Sequence, residues 1–410
     1  WNTLVASLKM HEAAIQFIDV TYANALGTNS TSYFALLTLQ WQSHPIVIKL
    51  FSDDELYPII EKRAAEEERT YIQRIYGFPD PDFPDDTLYY QGDKLFKLIW
   101  QPLEAYLQNV NTIYYTATGV LNQVALHALP INEKEALFNR YRLVMKTNLT
   151  HTHVEDDKKI NAILLAGGIN YESAATISDA EYFVLAESDS TVDRGGSWKA
   201  LPGTLTEIEK IESLAHENKT QIKIVKGSDA SEQAIKNADL TNYDVLHIAT
   251  HGYFFPDAIV TDSTLPGMEF RSSASPLIRS GIILAGGNNT WMNGKADSLL
   301  EDGILTAYEI SNLNLLNTQL VVLSACETGL GDIKGTEGVY GLQRAFQMAG
   351  AKQLLVSLWK IPDQYTAEFM QVFYTTLLSG QNAEKSLHTA RLHMQKKTDA
   401  YNWAAFVLVQ

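Results

Sequence analysis

From position 161 onward the chain repeats one unit: a short apolar run, a glycine-bearing turn, then an amphipathic stretch. The run 163–166 ends in Gly167 and Gly168, a helical pattern over 204–216 follows Pro202 and Gly203, and 222–225 is the next apolar run. A helix over 231–238, strands at 245–250, 281–285 and 320–323, a helix over 339–349, a strand at 353–358, helices over 363–378 and 383–396 and a strand at 404–409 complete the series. Strands that alternate with helices are joined by right-handed crossovers, which predicts a doubly wound, mostly parallel α/β sheet. Strands covered on both faces read as continuous apolar runs, as 320–323 (Leu, Val, Val, Leu) does.

In such a sheet the chemistry collects at the carboxyl ends of the strands. Two of those ends carry reactive residues. The run 245–250 delivers His251 followed by Gly252, and the run 320–323 delivers Cys326 through Ser324 and Ala325. A histidine and a cysteine brought to one sheet edge form a candidate base and nucleophile. A glycine amide after the histidine can approach an oxyanion without a side chain intervening. The competing reading of Cys326 is a small buried hydrophobe, which free cysteines often are. His247, inside its apolar run, reads as a packed core histidine, although a period of two also places it on the face of His251, where it could support the site.

Residues 1–155 read differently. A short helical piece precedes strands at 13–22, 32–40 and 45–51, an expected antiparallel meander. Ser52, Asp53, Asp54 and Glu55 form an N-cap and acidic first turn, opening a helix through the charged run 61–74, read as a solvated face. Residues 94–108 have helical periodicity, 112–116 a strand pattern, and 119–129 a strand or hairpin pattern. The boundary to the second domain, 156–410, falls in 148–159, where Thr150, His151, Thr152, His153, Glu155, Asp156 and Asp157 interrupt the apolar pattern. Alternate histidines in a strand could bind a metal, and a linker is the plainer reading.

Composition excludes several classes. The net charge of −16 argues against nucleic acid as the principal partner, since phosphate binding rests on clustered Lys and Arg. No apolar run approaches the roughly 18 residues a membrane span needs. One cysteine permits no internal disulfide and no multi-cysteine zinc or iron–sulfur site. With no basic region and apolar core at the start, the expectation is a cytoplasmic protein. Gly329, Gly331, Gly335 and Gly338 fit neither a dinucleotide fingerprint nor a phosphate loop, because Lys334 stands where the third glycine should fall and precedes Gly335. No cofactor or metal is expected.

The segments 201–207, 246–254 (LHIATHGYF), 277–285, 303–313, 323–331 (LSACETGLG) with Glu337 to Val339, 350–359 and 403–408 together resemble the CHAT domain. This is a caspase-like module related to separase and often found beside tetratricopeptide repeats in bacteria. The resemblance implies a cysteine endopeptidase with Cys326 as nucleophile, His251 as base or proton donor, and an oxyanion hole from the Gly252 and Cys326 amides. It implies that the N-terminal half is a non-catalytic caspase-like α/β part; with no cysteine before 326, that half lacks the chemistry. Asp363, after the 353–358 strand, resembles the separase acid for an arginine side chain, so cleavage after Arg or Lys is expected, with Asp332 and Glu309 as further candidates. The implied partners are a protein substrate and a regulatory partner or fused repeat domain. The alternative is a non-catalytic signalling or scaffold module that keeps the fold. His251 and Cys326 stand 75 positions apart, and the insert 255–302, rich in Pro and Gly, supplies the excess over a compact caspase. It is expected to be a mobile loop over the cleft in which only 277–285 is packed.

Overall fold

The structure, a computed structural model, describes residues 2–23, 29–40, 42–78, 90–150, 159–172, 196–255, 267–294, 301–324 and 337–410, with backbone alone for 337–340. Its strands are β1 (Glu12–Ala23), β2 (Asn29–Leu39), β3 (Ile46–Ser52), β4 (Thr112–Thr116), β5 (Arg142–Met145), β6 (Ala162–Ile169), β7 (Gln221–Gly227), β8 (Val245–Ile248), β9 (Gly252–Phe254), β10 (Ser280–Ile283), β11 (Ile304–Thr306), β12 (Leu320–Leu323), β13 (Leu354–Ser357) and β14 (Phe406–Val409). The helices used below are α1 (Asp53–Ile60), α2 (Glu68–Tyr76), α3 (Pro202–Glu217), α4 (Glu232–Lys236), α5 (Gly287–Asn293), α6 (Ala307–Ile310), α7 (Glu337–Met348), α8 (Asp363–Leu378) and α9 (Ala383–Gln395). The chain forms two compact units, one of residues 1–156 with 387–410 and one of 157–386.

In the first unit β3, β2 and β1 make the expected antiparallel meander, and β1, β4, β5 and β14 continue it in parallel. Residues 387–410, grouped with the second domain on sequence, therefore belong to the first. The division falls inside the continuous helix α9, so no turn or change of composition marks it. The stretch 119–129 is neither strand nor hairpin but two 3₁₀ turns, Gly119–Gln123 and Leu126–Ala128. Val120, Leu121, Leu126, His127 and Ala128 are all buried, so the stretch lacks the alternation of a half-exposed strand.

The charged run 61–74 also departs from expectation. It is split between α1 and α2, and Arg74 lies inside rather than on a solvated face, with 2% of its side chain exposed. Its guanidinium is bidentate on Glu66, with Nε and Nη2 each 2.9 Å from a carboxylate oxygen, and it donates to the carbonyls of Ile59 and Glu61 at the end of α1. The fork geometry of Arg suits a carboxylate and two carbonyls at once. At the start of α1 the predicted cap is present, with Glu55 accepting from the Ser52 N–H at 2.8 Å.

The second unit carries the expected doubly wound α/β sheet, in the order β13-β12-β8-β6-β7 with every neighbouring pair parallel. β8, β12 and β13 are buried along their whole length. The chain leaves β6 toward β7 and then builds outward from β8 on the other side, so a topological switch point lies between β6 and β8. Pro202 opens α3 at the first turn, where its missing N–H costs nothing. Gly168 (φ +58°) lies beneath Leu205 at a register shift inside β6, not in the expected turn after the strand, because pairing with β7 resumes at Ile169.

One strand is placed differently. Of residues 281–285, expected in the parallel series, 281–283 belong to β10 in a separate antiparallel sheet of order β9-β10-β11. The insert is also more packed than expected, since Phe270 and Trp291 of α5 are buried and stack at 6.0 Å, while 256–266 and 295–300 lie outside the described residues. Among the described residues no helix is long and apolar enough to cross a membrane.

Candidate catalytic site

His251 stands three residues beyond the end of β8, beside the switch point, and is 6% exposed. β8 stops at Ile248, so the strand period on which the expected shared face with His247 rests ends three residues before His251. The turn is held by Thr250, whose hydroxyl donates to the Ile283 carbonyl and accepts from the Tyr171 hydroxyl at 3.0 Å. The imidazole lies between Tyr171 and Trp198, with ring centroids 5.1 Å from each. Its Nε2 is 2.7 Å from the Lys199 carbonyl oxygen. A carbonyl can only accept, so Nε2 carries the hydrogen and the lone pair is on Nδ1. Burial lowers the His251 pKa to about 4, with the Lys360 charge adding to the effect against the Lys199 carbonyl. At neutral pH the ring is uncharged and basic at Nδ1.

The insert builds part of this pocket. The side-chain amide of Asn288, on α5, accepts from the Trp198 N–H at 2.7 Å and donates to the Trp198 carbonyl at 3.0 Å, fixing the backbone whose ring covers His251. The Asn288 and Gly286 amides donate to the Tyr171 and Asn170 carbonyls after β6. None of these residues carries a sequence signal for the site, because each acts through packing between segments far apart in the chain.

Gly252 begins β9, the edge strand of the small sheet. Ile283 N donates to His251 O, and Phe255 N donates to Arg279 O. Hydrogen-bonded and non-hydrogen-bonded pairs alternate along an antiparallel ladder, which makes Gly252 opposite Ile282 a non-hydrogen-bonded pair and turns its N–H away from β10.

Cys326 and Asp332 lie outside the described residues, as do His151, His153, Glu155 and Asp156. The strand that leads to Cys326 is well placed: β12 pairs in register with β8, so that Leu323 sits opposite Ile248. Asp363 is the first residue of α8, and its Oδ2 accepts from the Gly203 N–H at 2.9 Å, closing the start of α3. A Cβ at position 203 would lie 2.2 Å from the Asp363 carboxyl, so only glycine admits this approach. Glu309 caps α6 through Thr306 and meets the Lys236 ammonium at 2.8 Å. Glu232, Glu301 and Glu309 converge closely enough to hold a metal, but Lys236 Nζ stands among them at 2.6 to 2.8 Å and supplies the positive charge.

His247 is wholly buried, as expected of a core histidine, yet it is not isolated. Its Nδ1 is 3.0 Å from the Tyr374 hydroxyl and its Nε2 is 3.2 Å from Glu207 Oε1, which also accepts from the Ser324 hydroxyl.

The CHAT domain family model matches residues 91–410. Tetratricopeptide repeat protein 28 of Mus musculus and that of Homo sapiens are each 30% identical over 190 residues, covering 45% of this chain and 8% of the relative. The chain thus corresponds to a small part of those relatives. Two structures of the Saccharomyces cerevisiae separase–securin complex match at TM-scores of 0.46 and 0.45 and 9% identity, covering 100% of this chain and 30% of theirs.

Proposed function

The chain belongs to the CHAT domain family, and on that premise we propose that it is a cysteine endopeptidase in which Cys326 is the nucleophile and His251 the base. The observation that carries this reading is the state of His251: neutral, with Nε2 committed to a carbonyl and Nδ1 left basic. Cys326 follows Leu323 by the same three residues that separate His251 from Ile248, and those strand ends are register partners. Adjacent strands are about 4.8 Å apart, a gap that short segments span. Nδ1 takes the thiol proton as the sulfur attacks the peptide carbonyl. The Gly252 and Cys326 amides stabilise the oxyanion, His251 returns the proton to the departing amine, and water hydrolyses the thioester. We place the reaction in the cytoplasm, where a lone thiol stays reduced, under control of a partner or fused repeats. A thiol-reactive activity probe tests the pair directly, because the chain has one cysteine: labelling should fall sharply in His251→Ala. Equal labelling with and without His251 would instead favour a non-catalytic module.

The low His251 pKa sets a pH profile. Since the folded value lies below the ordinary value of about 6.5, activity should not decline from loss of the base until pH falls toward 4. Trp198→Ala opens one face of the ring to water and should move the acid limb upward toward about 6.5. Initial rates between pH 4 and 8 check this, and an acid limb that stays in place would refute the assignment of the low value to burial.

For specificity we propose cleavage after Arg or Lys, read by Asp363 or by Asp332; the Glu309 carboxylate is already occupied by Lys236 and Thr306. Asp363→Asn keeps an oxygen for the Gly203 amide and removes the charge. If Asp363 reads the basic side chain, this change slows cleavage after Arg by about one to three decades without altering thermal stability. An unchanged Arg preference assigns the role to Asp332, and cleavage after Asp would end the proposal.

A further inference from the structure

We infer that Glu207 is a positioning residue for the proposed dyad, tying together the carboxyl ends of the two strands that deliver His251 and Cys326. Glu207 lies on α3 and is 2% exposed. The helix is seated directly on β6, where a Cβ at Gly167 would come within 2.9 Å of Ile208 and of the Thr204 carbonyl. From there Glu207 Oε1 reaches both neighbouring strands, accepting from the Ser324 hydroxyl just past β12 and lying 3.2 Å from His247 Nε2 on β8. Ser324 is bound a second time through its backbone, whose N–H donates to the Ile248 carbonyl at 3.0 Å. Tyr374 of α8 completes the group at His247 Nδ1. With the Tyr374 hydroxyl donating to Nδ1, Nε2 carries the hydrogen and lies 3.2 Å from the carboxylate, a close electrostatic contact that lacks hydrogen-bond geometry.

Stability alone does not explain a carboxylate here. Burying one carries a large desolvation cost, and a packed apolar group of similar volume often does as well or better. What an apolar group cannot do is hold the Ser324 hydroxyl and the His247 ring at a fixed separation. Ser324 precedes Cys326 by two residues and His247 precedes His251 by four, so the relative placement of base and thiol is transmitted through the two Ser324 hydrogen bonds and the Glu207–His247 contact. A misplacement of about 1 Å between reacting groups can cost on the order of a hundredfold in rate.

The inference rests on the dyad reading, and its test separates the two. In the full chain, Glu207→Gln removes the charge and directs an amide donor toward His247, and Ser324→Ala removes a single hydroxyl with little risk to folding. The readouts are kcat and KM on a peptide substrate, thermal stability, and the pH dependence of iodoacetamide alkylation, which reports Cys326 alone because the chain has no other cysteine. Glu207→Gln should lower kcat by about tenfold to a hundredfold with KM little changed and displace the alkylation midpoint. Ser324→Ala should act in the same direction but less, and the double variant should be no worse than Glu207→Gln, as expected of residues acting through one unit. Wild-type kcat and alkylation profiles in both single variants would overturn the inference. So would additive losses in the double variant. If the wild-type chain cleaves no peptide, the dyad reading fails by itself, and the alkylation profiles still decide whether Glu207 and Ser324 set the environment of the thiol.

Discussion

Cys326→Ala and His251→Ala are each expected to remove about four to six decades of peptidase rate, the loss typical when one member of a nucleophile and base pair is deleted. The fold should survive both changes. His251 lies beyond the end of β8 and contributes to no strand ladder through its side chain, and Cys326 follows the buried run of β12. The chief cost of His251→Ala is the lost hydrogen bond to the Lys199 carbonyl, on the order of 1 kcal/mol, with the contacts to Tyr171 and Trp198. Circular dichroism of both variants should match the wild type while cleavage disappears. More than a few per cent of residual cleavage by purified Cys326→Ala would show that the mechanism is wrong.

The largest effect on stability should come from Arg74. Removing one partner of a buried ion pair typically costs about 3 to 5 kcal/mol, because the remaining charge is stranded in a low-dielectric interior. Arg74→Met should approach that range, since it also takes donors from the carbonyls of Ile59 and Glu61. The Arg74 guanidinium holds the Glu66 carboxyl below its usual range, so the pair's contribution is complete above the unfolded carboxylate value of about 4.3 and is lost as pH falls through the lower folded value. Urea unfolding at pH 7 measures the loss. Arg74→Met with Glu66→Leu should recover part of it, because the double change removes the stranded charge; no recovery would mean that the cost lies in the carbonyl bonds alone.

Some elements were legible in sequence for physical reasons that act locally. The Ser52 to Glu55 cap needs only residues three apart, and Gly286, at φ +81°, stands where the backbone needs the left-handed region after a strand. The continuous apolar runs of β8, β12 and β13 announced strands covered on both faces. Other expectations failed where the deciding partner is remote. Arg74 sits in a charged run with the pattern of a solvated face, but its partners are eight to fifteen residues away. The run 281–285 has the pattern of a parallel strand, and only pairing with β9 and β11 decides that it is antiparallel.

The site divides in the same way. The sequence by itself determined the doubly wound architecture and the delivery of His251 and Gly252 past one strand, because apolar periodicity and glycine placement are properties of the local chain. Tertiary structure decided which imidazole nitrogen is basic, that the ring is neutral, and that Asp363 meets Gly203, since hydrogen-bond partners and burial come from segments brought together only by folding. It decided the surroundings of Glu207 as well. A carboxylate on an amphipathic helix gives no sign in the sequence that it will be enclosed between two strands, and the cost of enclosing it depends on the donors those strands supply.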